Sequence, residues 1–243
     1  MKMLFERTGR LLQELQERCY PQRIPVTGWK KKQAPTRLTF RQALESNGWE
    51  DMREPYLWGG HRARFWFRAQ VTLPDDFAGQ CVVFRLTTGK EGEWDACNPQ
   101  FAVYVNGERR QGFDVNHREL FLTDCAKGGE TYDLTLSAFT GDQNFTLFLR
   151  GTVDVLDRET EQYYYDVKVP YEIARLEDPE SDAYGKILPA LTHSLNLLDL
   201  RQRENGEAYR RTLSLAREAL QKDLYEKVCR PQDGPVMLCV GHT

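Results

Sequence analysis

The sequence predicts a mainly β protein with a helical C-terminal part, and three changes of apolar period carry that reading. Between about residues 38 and 158 apolar residues alternate with polar ones, the signature of half-buried strands. After residue 160 they recur at helical spacing. At Val236, Met237, Leu238, Cys239 and Val240 they run without a break, opened by Gly234-Pro235, which reads as a strand buried on both faces.

The elements follow in order. Residues 4–19 predict an amphipathic helix, with Phe5, Leu11, Leu12, Leu15 and Cys19 at roughly helical spacing. Residues 20–36 carry Pro21, Pro25, Gly28 and Pro35 and read as an irregular connector. In HRARFWFRAQVTLP, Ala63, Phe65, Phe67, Ala69, Val71 and Leu73 share one face, and Arg62, Arg64, Trp66, Arg68, Gln70 and Thr72 the other. CVVFRLTTG is a second strand. FAVYVNGERRQGF is a hairpin, because Asn106-Gly107 supplies the two positive-φ positions of a tight turn. TYDLTLSAF and NFTLFLRGTVDVL complete a set of short strands punctuated by turns, the pattern of an antiparallel sandwich. In EQYYYDVKVPYEIARLED, Pro170 either opens a helix after a short strand or kinks a longer helix. Ile187, Leu191, Leu195 and Leu198 mark one helix; Tyr209, Leu213, Ala216, Leu220 and Leu224 mark another. The expected organisation is therefore an N-terminal helix and connector (1–36), a β-sandwich (37–158), a helical segment (159–234) and one buried strand (235–243).

Bulk composition narrows the function classes. The 243 residues are 40% apolar and 28% charged, with a formal net charge of −3, an ordinary globular balance that makes no electrostatic case for nucleic acid or an anionic membrane. The longest apolar run is far shorter than a membrane span. Glu6 and Arg7 interrupt the N-terminus too early for a signal-peptide core, so a cytoplasmic protein is expected. Cys19, Cys81, Cys97, Cys125, Cys229 and Cys239 form no C-x-x-C pair and read as free thiols of a reducing compartment.

A lone strand at residues 236–240 cannot satisfy its own edges. It needs partner strands beyond this chain, so the sequence reads as the front of something larger. Gly241, His242 and Thr243, at the carboxyl end of that strand, lie where α/β enzymes place catalytic residues.

VMLCVGHT resembles the opening of the catalytic domain in α-mannosidases of glycoside hydrolase family 38, where a buried strand runs into a G-H-T-H-I-D-like stretch. Gly241, His242 and Thr243 match its first three positions. YLWGGHRARFWFR, YVNGERRQGFDVNHRE and NLLDLR followed by a long helix are also similar to the bacterial and fungal members, in which a sandwich domain precedes the catalytic domain. The resemblance covers most of the chain from about residue 55 onward. It implies a jelly-roll, galactose-binding-like sandwich, then helices, then the first strand of a truncated α/β barrel. It also implies a retaining hydrolase of terminal α-mannosides that uses one carboxylate as nucleophile and another as acid, with zinc orienting the sugar hydroxyls. The family's zinc ligands in this motif are the second His and the Asp, which would follow Thr243; His242 matches a histidine that is not a ligand. No residue of the chain is then nucleophile, acid or zinc ligand. The fragment alone is expected to be inactive and its role architectural, packing on its own catalytic domain or forming a homo-oligomer interface, while the whole enzyme acts on mannose-containing oligosaccharides. The competing reading is a stand-alone carbohydrate-binding sandwich.

Two groups of residues are candidates for contact with sugar or with another domain. Trp58, Trp66 and Trp94 could stack on pyranose rings or could pack internally, Trp66 beneath a covering segment. In GFDVNHRE, Asp114, Asn116, His117 and Glu119 are close in sequence: as ligands they would suit a metal, and as a turn they would be held by Asp and Asn side chains. His193, Ser194 and Asp199 sit in one helical stretch and do not read as a triad.

Overall fold

The computed structural model describes residues 2–92, 98–201 and 205–229, which divide into two compact units: residues 20–156, and residues 1–19 with 157–243. In chain order the elements are α1 (Lys2–Arg18), β1 (Gln22–Pro25), β2 (Lys30–Ala34), α2 (Phe40–Glu45), β3 (Glu50–Asp51), β4 (Leu57–Gly60), β5 (Arg64–Thr72), β6 (Val82–Thr87), β7 (Gln100–Val105), β8 (Glu108–Phe113), β9 (Glu119–Thr123), β10 (Thr131–Phe139), β11 (Phe145–Phe148) and β12 (Arg150–Val155). Then come α3 (Arg158–Leu176), α4 (Asp182–Asn196) and α5 (Glu207–Leu220), which runs into a π-helical turn at Gln221–Tyr225.

The first unit is an antiparallel sandwich. One sheet has the order β1-β12-β6-β9, the other β3-β2-β5-β10-β7-β8, and β11 pairs with β4 in a two-stranded ribbon. The alternation of β5 is realised as read, with Phe65, Phe67, Ala69 and Val71 inside. Facing them on their own sheet and the other are Leu134, Leu136, Val103, Phe84, Leu86 and Val153, with Trp29 fully buried among them. Burying these apolar faces against each other is the main force holding the layers. Gly151 marks how tightly β12 is packed, because a Cβ there would lie 2.9 Å from the Trp29 ring and 3.0 Å from the Phe84 ring. The β7–β8 turn has Asn106 at φ 51 and Gly107 at φ 84, the two left-handed positions the hairpin requires.

The structure moves one boundary and resolves one ambiguity. The connector expected over residues 20–36 instead contributes β1 and β2, so the sandwich begins at Tyr20 rather than at residue 37. The prolines that suggested a loop lie at the ends of these short strands, and edge strands tolerate a missing N–H. The stretch around Pro170 is one continuous helix, α3. Proline removes the N–H that would reach the Asp166 carbonyl. The Tyr225 hydroxyl donates to that carbonyl instead, at 2.9 Å.

In the second unit Asp157 caps α3 through Thr160 N at 3.1 Å, and Ser181 caps α4 through Tyr184 N at 3.1 Å. The hydroxyls buried between helices are paired, as burial demands. Ser194 Oγ donates to the Ala216 carbonyl at 2.6 Å, so the Tyr163 hydroxyl, also at 2.6 Å, is the donor to Ser194. Thr8 and Thr192 join α1 to α4 at 3.0 Å. The strand expected at 236–240 lies outside the described residues.

Candidate functional site

The six-stranded sheet turns Arg64, Trp66 and Arg68 of β5 away from the core, as alternation requires. A polar edge of this kind would ordinarily face water, yet Trp66 is only 3% exposed. The segment around α2 covers it: Leu38, Phe40, Ala43 and Trp49 pack against Trp66, Ala34 and Tyr104. Thr39 starts α2 with a reciprocal capping box to Gln42. Lys32, pointing outward from β2, closes its far end by donating to the carbonyls of Ala43 at 3.1 Å and Ser46 at 2.8 Å, and also to Ser46 Oγ. A cation on the last carbonyls of a helix is favourable for the same reason a negative charge is favourable at its start. Arg68 lies 4.6 Å over the Trp49 ring.

Trp58 is buried on the opposite side of this sheet, 5% exposed, with edge-on contacts to Phe65, Phe67 and Phe101 at 5.6, 5.1 and 5.6 Å between centroids. Neither Trp58 nor Trp66 therefore offers an open ring face to a sugar; both rings are already covered by protein. Trp94, Gly241, His242 and Thr243 lie outside the described residues.

Asp114 and His117 form the turn between β8 and β9. Asp114 Oδ1 accepts from Asn116 N at 2.8 Å, His117 N at 2.7 Å and His117 Nδ1 at 3.0 Å, and Asp114 N donates to the His117 carbonyl at 3.0 Å. Burial alone would raise the Asp114 pKa, but the bonds from His117 and Asn116 outweigh it, and the carboxyl lies below its ordinary value. Glu119 is directed elsewhere, to the Tyr20 hydroxyl at 2.6 Å and Arg85 at 3.4 Å. The donors that a metal would need are thus engaged in the turn and in a separate ion pair. Among the described residues no group of three or more His, Cys, Asp or Glu is arranged to hold a metal. His193, Ser194 and Asp199 have three unrelated partners, Asp223, the Ala216 carbonyl and Arg201.

Part of the outer face of the six-stranded sheet stays open. There α2 leaves a groove of about 650 Å³, lined by residues that include Arg37, Phe40, Arg64, Ala102, Tyr104, Arg109, Ser137 and Phe139. Sequence reading missed it. The signal was present as small residues at outward strand positions, but only the strand register shows that they fall side by side.

The sequence profile described as "Alpha-mannosidase, jelly roll domain" matches residues 20–146. The chain belongs to that family. The match lies within the sandwich unit, residues 20–156, whose antiparallel sheets are those of a jelly roll. No curated protein sequence matches the chain. Among solved structures, a putative β-galactosidase from Bacteroides fragilis aligns over 54% of this chain and 23% of its own, at 16% identity and TM-score 0.37. A β-glucuronidase from Ruminococcus gnavus aligns over 55% and 28%, at 10% identity and TM-score 0.40. The chain spans about a quarter of the length of these solved structures. No helix among the described residues is long and apolar enough to cross a membrane.

Proposed function

We propose that this chain is the N-terminal, non-catalytic part of a zinc-dependent retaining α-mannosidase that removes terminal α-mannose from oligosaccharides in the cytoplasm. The observation that carries the reading is the coincidence of the jelly-roll family match with one closed structural unit. The job of that unit is architectural: a rigid sandwich that packs on its own catalytic domain or at a homo-oligomer contact. The helical unit supports the same role. On the side of α3 away from its buried residues, Tyr165, Val169, Ile173 and Leu176 form an exposed apolar stripe at i, i+4, i+8 and i+11. Exposed apolar stripes of this kind mark contacts with another domain or chain. Zinc, in the complete enzyme, would supply Lewis-acid orientation of sugar hydroxyls, and the ligands for it are expected after Thr243. The thiols of Cys125 and Cys229, free and exposed, suit a reducing compartment.

Two measurements test the proposal. The purified chain should not turn over 4-nitrophenyl α-mannoside with or without added zinc, and turnover would remove the non-catalytic assignment. In the complete enzyme, charged substitutions on the stripe, V169E and I173E, should lower the Tm or dissociate the oligomer while leaving the catalytic residues untouched. Unchanged stability and assembly would end the architectural role.

A further inference from the structure

The open part of the sheet's outer face is built as a short trough across neighbouring strands. Register sets Ser137 opposite Ala102, and Ala102 opposite Gly112, so three small residues lie side by side, and Ser137 and Ala102 floor the groove. Neighbouring strands are about 4.8 Å apart, which makes the row of three roughly 10 Å long. One bank is Phe139 with Gln100 beside it, and the Arg64 guanidinium lies 4.4 Å over the Phe139 ring. The other bank is Tyr104, stacked at 4.6 Å on Phe40 of α2, with Arg109 opposite it on β8. On β7 and β10 each bank stands two residues along the strand from the floor, about 7 Å away. Trp66, opposite Ser137 on β5, closes one end under the α2 cover. Thr36, Arg37 and Thr39 form part of the rim.

The described lining of this trough carries one sign of charge: Arg37, Arg64 and Arg109 line it, and among the described residues no Asp or Glu does. Among the described residues none of the three is in an ion pair, although the chain as a whole carries a net charge of −3. Unpaired guanidinium groups converging on a concave surface select an anion, and their planar forks match carboxylate and phosphate oxygens. The flanking rings and alkyl floor match the apolar face of a sugar ring. A volume of about 650 Å³ lies within the range of about 300–1,000 Å³ usual for small-ligand sites. A floor that spans only neighbouring strands and is closed at Trp66 suits one or two rings rather than an extended chain.

We infer that the trough floored by Ser137 and Ala102 between Phe139 and Tyr104, with Arg37, Arg64 and Arg109 at its margin, binds an anionic sugar, a hexose ring bearing a phosphate or a carboxylate. This site belongs to the sandwich itself and stands whether or not the complete protein is a mannosidase.

Calorimetric titration of the whole chain tests it with four probes: mannose 6-phosphate, glucuronate, mannose and inorganic phosphate. The expected result is saturable binding of one or both anionic sugars at one equivalent, with mannose and inorganic phosphate each at least about tenfold weaker, since ring and charge act together. Which of the two anionic sugars binds more tightly identifies the anion. R64Q and R109Q should each weaken that binding about tenfold with an unchanged Tm, and A102L, which fills the floor, should abolish it. The inference is overturned if neither anionic sugar binds at concentrations up to about 10 mM, a Kd weaker than any specific site of this size needs. It is equally overturned if inorganic phosphate binds as well as mannose 6-phosphate does, or if folded R64Q and R109Q bind as the parent chain does.

Discussion

The Tyr225–Asp166 hydrogen bond offers a direct test of how α3 accommodates a proline. Pro170 leaves the Asp166 carbonyl without its helical donor, and the Tyr225 hydroxyl donates to it at 2.9 Å. Burial, with the nearby Asp166 charge, raises the hydroxyl's pKa, so it remains a protonated donor at neutral pH. Removing the hydroxyl in Y225F leaves a partly buried carbonyl without its protein donor, a loss of about 1 kcal/mol. In a helical unit of this size that lowers the Tm by about 4 °C. The decisive variant is P170A, which restores an N–H to the same carbonyl. In the P170A background Y225F should cost close to nothing, giving a coupling of about 1 kcal/mol between residues that are far apart in sequence. The assay is urea unfolding followed by helical circular dichroism, run on the parent chain, both single variants and the double variant. An equal cost for Y225F in both backgrounds, or no cost in the parent chain, refutes the reasoning, because the tyrosine would then act through ring packing alone or not at all.

Three further outcomes follow from the geometry. G151A should destabilise the sandwich by about 1–3 kcal/mol in chemical denaturation, because the new methyl meets Trp29 at 2.9 Å and Phe84 at 3.0 Å in a closed core. Tyr164 and Tyr209 are pushed by burial to about 12. With folded values above the ordinary 10.0, their contribution to stability is complete below pH 10 and is lost as pH rises towards 12, so tyrosinate absorbance should lag that of free tyrosine and then appear together with unfolding. Asp114 titrates below its ordinary 3.8, so its contribution is present above that pH and is lost as pH falls through the lowered value. D114A, which removes the acceptor of two backbone N–H groups, should cost about 1 kcal/mol at neutral pH and flatten the acid limb of the stability profile.

Sequence alone determined the elements whose own residues force them. Strict alternation made β5 and β10 half-buried strands, because a strand shows its two faces to different surroundings. Asn106-Gly107 specified the hairpin, because few other pairs take positive φ twice. The apolar spacing of α4 and α5 specified two packed helices. Tertiary structure decided whatever depends on a distant partner. β1 and β2 carry little apolar signal of their own and are strands because β12 and β5 offer open edges. Trp66 sits on the polar side of its strand and is buried only because a segment some twenty residues earlier in the chain folds over it. Pro170 stays within a helix because Tyr225 replaces the bond it removes. The trough exists only through register, which aligns Ser137 and Ala102 from separate strands. Local residues set backbone preference and which face is apolar; what lies against that face is set by chain segments far away, whose pairing no local pattern records.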